Sequence, residues 1–332
     1  MTSRNGLLAG AIVLVLLLSF VLPWASGPQD REQVGAVALL PGPVLKTNYW
    51  VNHVAFSPDG RILVTAGGSI GQQAELTAWD AARGEKRFAL AGHRGAVHTV
   101  AFSADGSVLA SAGHDDTVRF WDPCSGAPQR VLQVEGVVMM ALSPDGRQFA
   151  TTSLKKQVSL WEVATGKRLH AFTGFGRPAF APDGRTLVVG DQKIVKRFDV
   201  ETGKEVGRWG PSAEAAFAMS FSPDGRLLAV IRYFSPDVEV WDASSGRLAG
   251  TLVGPGENIA AIAFAPDGRT LASGGLGRTI RLWDMTSGRL LAAGEGHSAR
   301  ITALAFSPDG QHLVSAGYDR TVRFWRIMPE QP

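Results

Sequence analysis

The side chains best suited to acid–base, metal or thiol chemistry are few and are dispersed along the chain. They comprise seven histidines, His53, His93, His98, His114, His170, His297 and His312, and a single cysteine, Cys124. One cysteine excludes an intramolecular disulfide and any cysteine-built zinc or iron–sulfur site. His93, His114 and Asp116 are close enough in sequence for a metal site, but a structural histidine and a loop histidine explain them more simply. We therefore predict no catalytic residue, no cofactor and no metal.

Composition and charge narrow the classes of partner. Of the 332 residues, 45% are apolar and 19% are charged, which is typical of a globular chain. The 33 basic residues exceed the 30 acidic ones by only three, and no basic cluster is visible. A nucleic-acid interface needs basic residues gathered on one surface, so we predict no nucleic-acid partner.

Residues 6–25 form an uncharged, apolar run that is long enough to span a bilayer as a helix. A cleaved signal peptide is the alternative, but Pro23, Trp24 and Pro28 spoil the candidate cleavage sites. We predict a signal anchor at 1–27 and a linker at 28–32. Arg4 favours a cytoplasmic N-terminus and thus an extracytoplasmic remainder, periplasmic or extracellular. The absence of Asn-x-Ser/Thr acceptors favours a bacterial source.

One family of tetrapeptides that end in Asp-Gly recurs seven times, six of them with proline at the second position, and their glycines are 46, 40, 38, 41, 43 and 42 residues apart. Proline at its second position and glycine at its fourth are typical of a tight turn between two strands. The seven copies begin at Ser57, Ser103, Ser143, Ala181, Ser222, Ala265 and Ser307. A repeat of about 42 residues indicates stacked copies of one small structural unit.

A tryptophan or phenylalanine recurs in phase with these turns. The seven positions are Trp79, Trp121, Trp161, Phe198, Trp241, Trp283 and Trp325, and an acidic residue follows each of the first six. After those six, a glycine-containing turn leads to a further strand. Four short strands in each repeat predict an all-β, seven-bladed β-propeller of four-stranded antiparallel blades, preceded by one transmembrane helix.

These residues resemble the WD-repeat family of β-propellers. The resemblance is fullest in the second and seventh repeats, where Gly-His precedes Ser-Ala-Gly-x-Asp and a tryptophan. It implies a buried, hydrogen-bonded tetrad in each of these blades. The implied tetrads are His93, Ser111, Asp115 and Trp121, and His297, Ser315, Asp319 and Trp325. The other five blades depart from the pattern, so we expect them to depend on apolar packing.

Ring closure can also be predicted. The seventh repeat lacks its own fourth strand, and Gln33–Leu40 can supply it, because closure removes a free sheet edge. The propeller is thus predicted at 33–328, with a short tail at 329–332. Its innermost strands are mostly apolar, and His53, His98 and Arg177 are scattered exceptions.

The predicted binding surface is the top face, where the turns between second and third strands meet the loops that lead into each first strand. Tyrosine, tryptophan and arginine are enriched at the energetic centres of interfaces. The candidates are Tyr49, Trp50, Arg94, Arg232, Tyr233, Phe234, Arg300 and Tyr318. Alternatively, the aromatic residues fill gaps where blades 1 and 5 depart from the repeat.

Together these observations predict a non-enzymatic platform that is displayed at the membrane through residues 6–25 and binds a protein or peptide. One alternative is an exported propeller enzyme or cofactor-binding oxidoreductase, which would need convergent acidic, histidine or arginine residues on the innermost strands. Another is a membrane-tethered scaffold that faces the cytoplasm.

Overall fold

The computed structural model describes residues 37–69, 74–212 and 214–329. Within them the chain forms seven sheets, each of four antiparallel strands, as predicted. In chain order the strands are β1 (Val37–Lys46), β2 (Val51–Phe56), β3 (Ile62–Gly67), β4 (Glu75–Asp80), β5 (Lys86–Ala89), β6 (Val97–Phe102), β7 (Leu109–Gly113), β8 (Thr117–Trp121), β9 (Pro128–Gln133), β10 (Val137–Leu142), β11 (Gln148–Ser153), β12 (Gln157–Glu162), β13 (Arg168–Thr173), β14 (Phe175–Phe180), β15 (Thr186–Asp191), β16 (Ile194–Asp199), β17 (Glu205–Trp209), β18 (Ala216–Phe221), β19 (Leu227–Arg232), β20 (Val238–Asp242), β21 (Leu248–Leu252), β22 (Ile259–Phe264), β23 (Thr270–Gly275), β24 (Thr279–Asp284), β25 (Leu290–Glu295), β26 (Ile301–Phe306), β27 (His312–Gly317) and β28 (Thr321–Pro329).

The seven sheets are blades arranged in a closed ring. Blade 1 contains β2–β5, blades 2 to 6 follow in groups of four, and blade 7 contains β26, β27, β28 and β1. The first strand of each blade contacts the first strand of the next, and β26 returns to β2. Seven clusters of buried apolar side chains each lie between two neighbouring blades. The core is therefore distributed around the ring.

The repeated tetrapeptide forms the turn between the first and second strands of each blade. In blade 1 the Gly60 amide donates to the Ser57 carbonyl at 2.8 Å, and Gly60 has a φ of 72°. The Ser57 hydroxyl donates to Asp59 at 2.6 Å, and Asp59 accepts the Arg61 amide at 3.0 Å. These bonds stabilise the turn locally, as expected for Ser, Asp and Gly in turn positions. The turns lie opposite the top face.

A β-bulge recurs near the start of the innermost strand in all seven blades. It inserts extra residues on the edge that faces the centre of the ring, which redirects side chains there. The bulge is largest in blade 4, where the ladder skips from Phe175 to Ala179. This places Arg177 within the irregular segment.

The closing strand differs from the predicted segment Gln33–Leu40. The strand β1 extends from Val37 to Lys46 and pairs with β28 along its length. Proline and glycine in the sequence Pro41-Gly42-Pro43 are typical of the end of a strand. Here the strand continues, because a bulge between Pro41 and Val44 accommodates them. Because β1 is the outermost strand of blade 7, its prolines interrupt no further ladder. The partner strand also continues to Pro329, one residue into the predicted tail.

The predicted anchor at 1–27 and linker at 28–32 lie outside the described residues. Among the residues that the structure does describe, none belongs to a helix long and apolar enough to cross a membrane.

Candidate interaction face

Two blades contain the hydrogen-bonded tetrad that the family resemblance implies. In blade 2, His93 lies 2.9 Å from Asp115 through Nδ1 and 2.7 Å from the Ser111 hydroxyl through Nε2. The Trp121 indole N–H donates to Ser111 at 2.9 Å. In blade 7 the corresponding distances from His297 to Asp319 and Ser315 are 2.8 and 2.6 Å, and from Trp325 to Ser315 2.9 Å.

The tetrads favour the ionised form of their aspartates and hold loops of the top face in position. Burial opposes the ionisation of Asp115, but hydrogen bonds from His93, the Arg94 amide and Thr117 outweigh it and hold the pKa of Asp115 well below its usual range. Burial lowers the pKa of His297, against the opposing effect of Asp319. Because Asp115 accepts the backbone N–H of Arg94 at 2.9 Å, the tetrad positions the loop that presents this exposed arginine.

Three of the remaining blades retain part of this network. The indole N–H donates to a threonine or serine hydroxyl at 3.0 Å in blade 1, 2.8 Å in blade 3 and 2.8 Å in blade 6. In blade 4, Phe198 packs against Phe172 with ring centroids 4.1 Å apart, and the Arg197 guanidinium lies 5.1 Å from the Trp209 ring centre. We predicted that the five blades without a complete tetrad depend on apolar packing. Blade 4 fits this prediction best, whereas blades 1, 3 and 6 keep the hydrogen bond of the indole.

Blade 5 replaces the tetrad with an ion pair. The Arg232 Nε–H donates to Glu239 at 2.8 Å, Nη2 forms an ion pair with the same carboxylate oxygen at 2.7 Å, and Nη1 donates to the Glu214 carbonyl at 2.8 Å. The Trp241 indole donates to the same carboxylate at 3.0 Å. Val230 occupies the register position of the serine or threonine in other blades, so the indole needs this different acceptor.

The prediction that Arg232 belongs to the binding surface therefore needs correction. Arg232 is only 3% exposed, and its guanidinium is engaged inside blade 5. The sequence did contain a signal, because Glu239 stands two residues before Trp241 where blades 2, 6 and 7 carry arginine. A reversed charge at that position indicates a compensating partner nearby.

Four of the other seven candidates lie on the top face in two aromatic clusters. Trp50 and Tyr318 stack with ring centroids 4.9 Å apart, and we call this pair the blade 1/7 cluster. Tyr233 lies 4.9 Å from Phe217 and 6.3 Å from Phe175, with Phe234 beside it at 6.2 Å. We call these four residues the blade 4/5 cluster. Phe175 and Phe217 were not predicted, because each stands in a strand that looks purely structural.

Phe234 is the most exposed member of these clusters. It is 80% exposed and has a φ of 60°, a conformation that is unfavourable for a bulky side chain. Within the described residues, the other five non-glycine residues with positive φ lie in the equivalent turns of other blades. They are all polar: Asp116, Lys156, Gln192, Arg278 and Arg320. An exposed phenylalanine in this unfavourable backbone conformation makes Phe234 a candidate for contact with a partner.

The remaining candidates have varied surroundings. Tyr49 is half-buried, and its amide donates to Glu75 at 3.1 Å. Arg300 is half-buried beside the blade 1/7 cluster, and its carbonyl accepts the Tyr318 amide at 3.0 Å. Tyr49 therefore has a structural role in addition to any in binding.

The residues considered for chemistry are separated or already engaged. His93 belongs to its tetrad, whereas the His114 ring packs edge-on against His98 at 4.7 Å. Cys124 is exposed in a turn. Within the described residues no three His, Cys, Asp or Glu side chains form a metal-sized group. The sequence at 67–71 matches Gly-x-Ser-x-Gly, but Ser69 follows β3 on the way to another strand, whereas a nucleophile elbow requires a strand-to-helix turn.

Comparison with known proteins identifies the repeat. The model of the WD domain, G-beta repeat, matches residues 38–70, 84–122, 246–284 and 288–326. The periodic tryptophan protein 2 homolog of Schizosaccharomyces pombe is 35% identical over 36% of this chain and 14% of its own length. The WD repeat-containing protein SL1-17 of Schistosoma mansoni is 30% identical over 52% of this chain and 60% of its own.

A subunit of a named assembly is also similar. Transcription initiation factor TFIID subunit 5 of Caenorhabditis elegans is 28% identical over 47% of this chain and 25% of its own length. The chain thus spans less than two thirds of each of these relatives. All three are eukaryotic, so they do not support the predicted bacterial source. The seven four-stranded blades, together with the four matched repeats, support a seven-bladed β-propeller that is similar to the WD40-repeat family.

Proposed function

We propose that this propeller is a non-enzymatic platform that binds a protein or peptide on its top face. WD40 propellers generally serve as protein-interaction scaffolds, and one relative is named as a subunit of a transcription initiation factor. The observation that carries the proposal is Phe234, an 80% exposed aromatic side chain in a left-handed turn. Its ring is mostly exposed and contributes little to the core, so a partner that covers the ring would account for a phenylalanine at this position.

The surroundings of Phe234 suit a protein ligand. Tyr233 is 38% exposed, and Phe217 and Phe175 lie beside it, so an aromatic surface continues from the turn to the innermost strands. Trp50, 44% exposed, and Tyr318, 37% exposed, form a second aromatic surface in blades 1 and 7. In a ring of seven, blade 1 stands opposite the junction of blades 4 and 5. A bound chain that crosses the centre would contact both clusters.

A proteomic comparison of variants tests this proposal. Phe234→Asn removes the exposed ring and places at this position a residue that tolerates positive φ. Leu248→Asn is the matched control, because Leu248 is 45% exposed on the outermost strand of the same blade. We expect the Phe234 variant to lose a specific partner that the wild-type and Leu248 proteins retain. Equal recovery of every partner by all three proteins would contradict the proposal.

We further propose that residues 6–25 hold the propeller at a membrane with the blades outside the cytoplasm. The support is the uncharged apolar length of this segment and the arginine at position 4. Protease treatment of intact and of permeabilised cells tests the topology. Digestion of the propeller in intact cells is the expected result, and protection until permeabilisation would favour a cytoplasm-facing scaffold.

A further inference from the structure

The central channel has an unusual charge composition. None of the seven innermost strands contains aspartate or glutamate, and their only ionisable side chains are His53, His98 and Arg177. All three stand in the first half of their strands, which is the half nearer the top face. An enzyme that uses paired carboxylates would need acidic residues that these strands lack.

The closed ring places these three residues on strands that line one channel, although they belong to separate blades. His53 is in blade 1, His98 in blade 2 and Arg177 in blade 4, and blade 4 adjoins only blades 3 and 5. Burial, followed by the charge of Arg177, lowers the pKa of His53 to about 3. Burial, then His114, then Arg177 lower the pKa of His98 to about 4. The charge of Arg177 thus influences both histidines, which is consistent with the position of all three residues on innermost strands of one closed ring.

The arginine lacks a compensating partner within the described residues. None of the ion pairs formed by that part of the chain includes Arg177, and its buried Nε makes no hydrogen bond there. Burial alone lowers the pKa of Arg177 to about 10, so the side chain is charged at neutral pH. The buried Nε2 of His98 also has no hydrogen-bond partner there. Arg177 is half-buried, and a partly desolvated charge without a counter-ion is unfavourable, so an anion would relieve that cost.

The donors favour a carboxylate over a cation. Arginine presents several N–H groups in a planar fork that matches two carboxylate oxygens. Each neutral imidazole supplies one more N–H, although the His53 Nδ1 faces the Val100 amide at 3.5 Å and therefore accepts there. A metal ion would be repelled by the guanidinium, so the two histidines are not arranged for metal binding.

We propose that His53, His98 and Arg177 form a carboxylate-binding site at the top end of the channel, which receives an acidic side chain of the partner. This inference rests on the proposed function, because the site lies between the blade 1/7 and blade 4/5 clusters. A peptide held by both clusters passes over the channel, and one glutamate or aspartate side chain extends down to Arg177. The partner segment is therefore acidic at its centre and apolar on both sides.

Calorimetric titration of the full chain in detergent tests the site. The probes are acetyl-Gly-Glu-Gly-amide, the same peptide with glutamine, sodium acetate and inorganic phosphate, at constant ionic strength and pH 7.5. We expect the glutamate peptide to bind at least tenfold more tightly than the glutamine peptide. Arg177→Met should remove this difference, whereas Arg185→Met should retain it, because Arg185 is an exposed arginine on the opposite face of the same blade.

The outcomes are distinct. Equal affinity for the glutamate and glutamine peptides would overturn the proposal without any variant, and so would retained discrimination in Arg177→Met. Binding of acetate or phosphate without the peptide would overturn the side-chain assignment and identify a site for a free anion. A loss of partner in Phe234→Asn together with no carboxylate binding would leave the proposed function intact and refute only this site.

Discussion

The ion pair of blade 5 gives the sharpest prediction, because Arg232 was expected to bind a partner and instead lies in the protein interior. Replacement by methionine removes the guanidinium and leaves the Glu239 carboxylate, whose side chain is 18% exposed, without its cation. Breaking a buried pair in this way costs about 3–5 kcal/mol. At about 2–4 °C per kcal/mol for a large domain, the melting temperature should fall by about 6–20 °C.

The assay is thermal and urea unfolding of four proteins. Arg226→Met is the control, because Arg226 pairs with Asp224 at 3.7 Å on the surface of the same blade, and we expect a change of about 0.5 kcal/mol or less. Arg232→Met/Glu239→Gln removes both charges and keeps an acceptor for Trp241. It should recover about 1–2 kcal/mol relative to Arg232→Met. An Arg232→Met protein within about 1 kcal/mol of wild type would refute the reasoning.

Three further predictions concern the tetrads, the channel and the top face. Trp121→Ala removes a fully buried ring and the hydrogen-bond donor to Ser111, so it should lower the free energy of unfolding by about 3–5 kcal/mol. Tyr318→Ala, in a top-face loop, should lower it by about 1 kcal/mol or less. Equal melting temperatures of the two variants would contradict the tetrad's role. In the folded state the pKa values of His53 and His98 are lowered to about 3 and about 4, whereas in the unfolded chain each is about 6.5. As the pH falls below 6.5, the unfolded state therefore binds protons that the folded state does not. The free energy of unfolding should decrease by about 2 kcal/mol per histidine at pH 5. His98→Asn should show a smaller loss between pH 7.5 and pH 5 in parallel melts, and an unchanged pH dependence would be inconsistent with a desolvated imidazole. Phe234→Asn should raise stability by about 0.5–1 kcal/mol in urea unfolding, because it relieves a left-handed phenylalanine, and a decrease would mean that the ring supports the fold.

The blades were predictable because each depends on local chemistry that repeats. The seven turns that end in Asp-Gly, four of them Ser-Pro-Asp-Gly, use hydrogen bonds within five residues, so each copy in the sequence indicates one hairpin. The tetrads of blades 2 and 7 follow from residue types at fixed register. The closing strand was predicted to end at Leu40, whereas it continues to Lys46, because a bulge between Pro41 and Val44 accommodates the prolines and only the pairing with β28 reveals it.

The binding face was less predictable because it depends on contacts between blades. Arg232 looks like a loop arginine until its pairing with Glu239 is known. His53, His98 and Arg177 lie 45 or more residues apart and look scattered, and only the curvature of the closed ring places them around one channel. Phe175 and Phe217 begin ordinary apolar strands, and their place beside Tyr233 arises from the loops of two blades.

The central claim is that the top face is the binding surface, and hydrogen–deuterium exchange of the purified complex tests it most directly. Backbone amides in residues 47–51, 231–236 and 316–320 should exchange more slowly when the partner is bound. The turns on the opposite face, at 57–61 and 222–226, should be unchanged. Protection of those opposite turns, with exchange at 231–236 unaltered, would contradict the account.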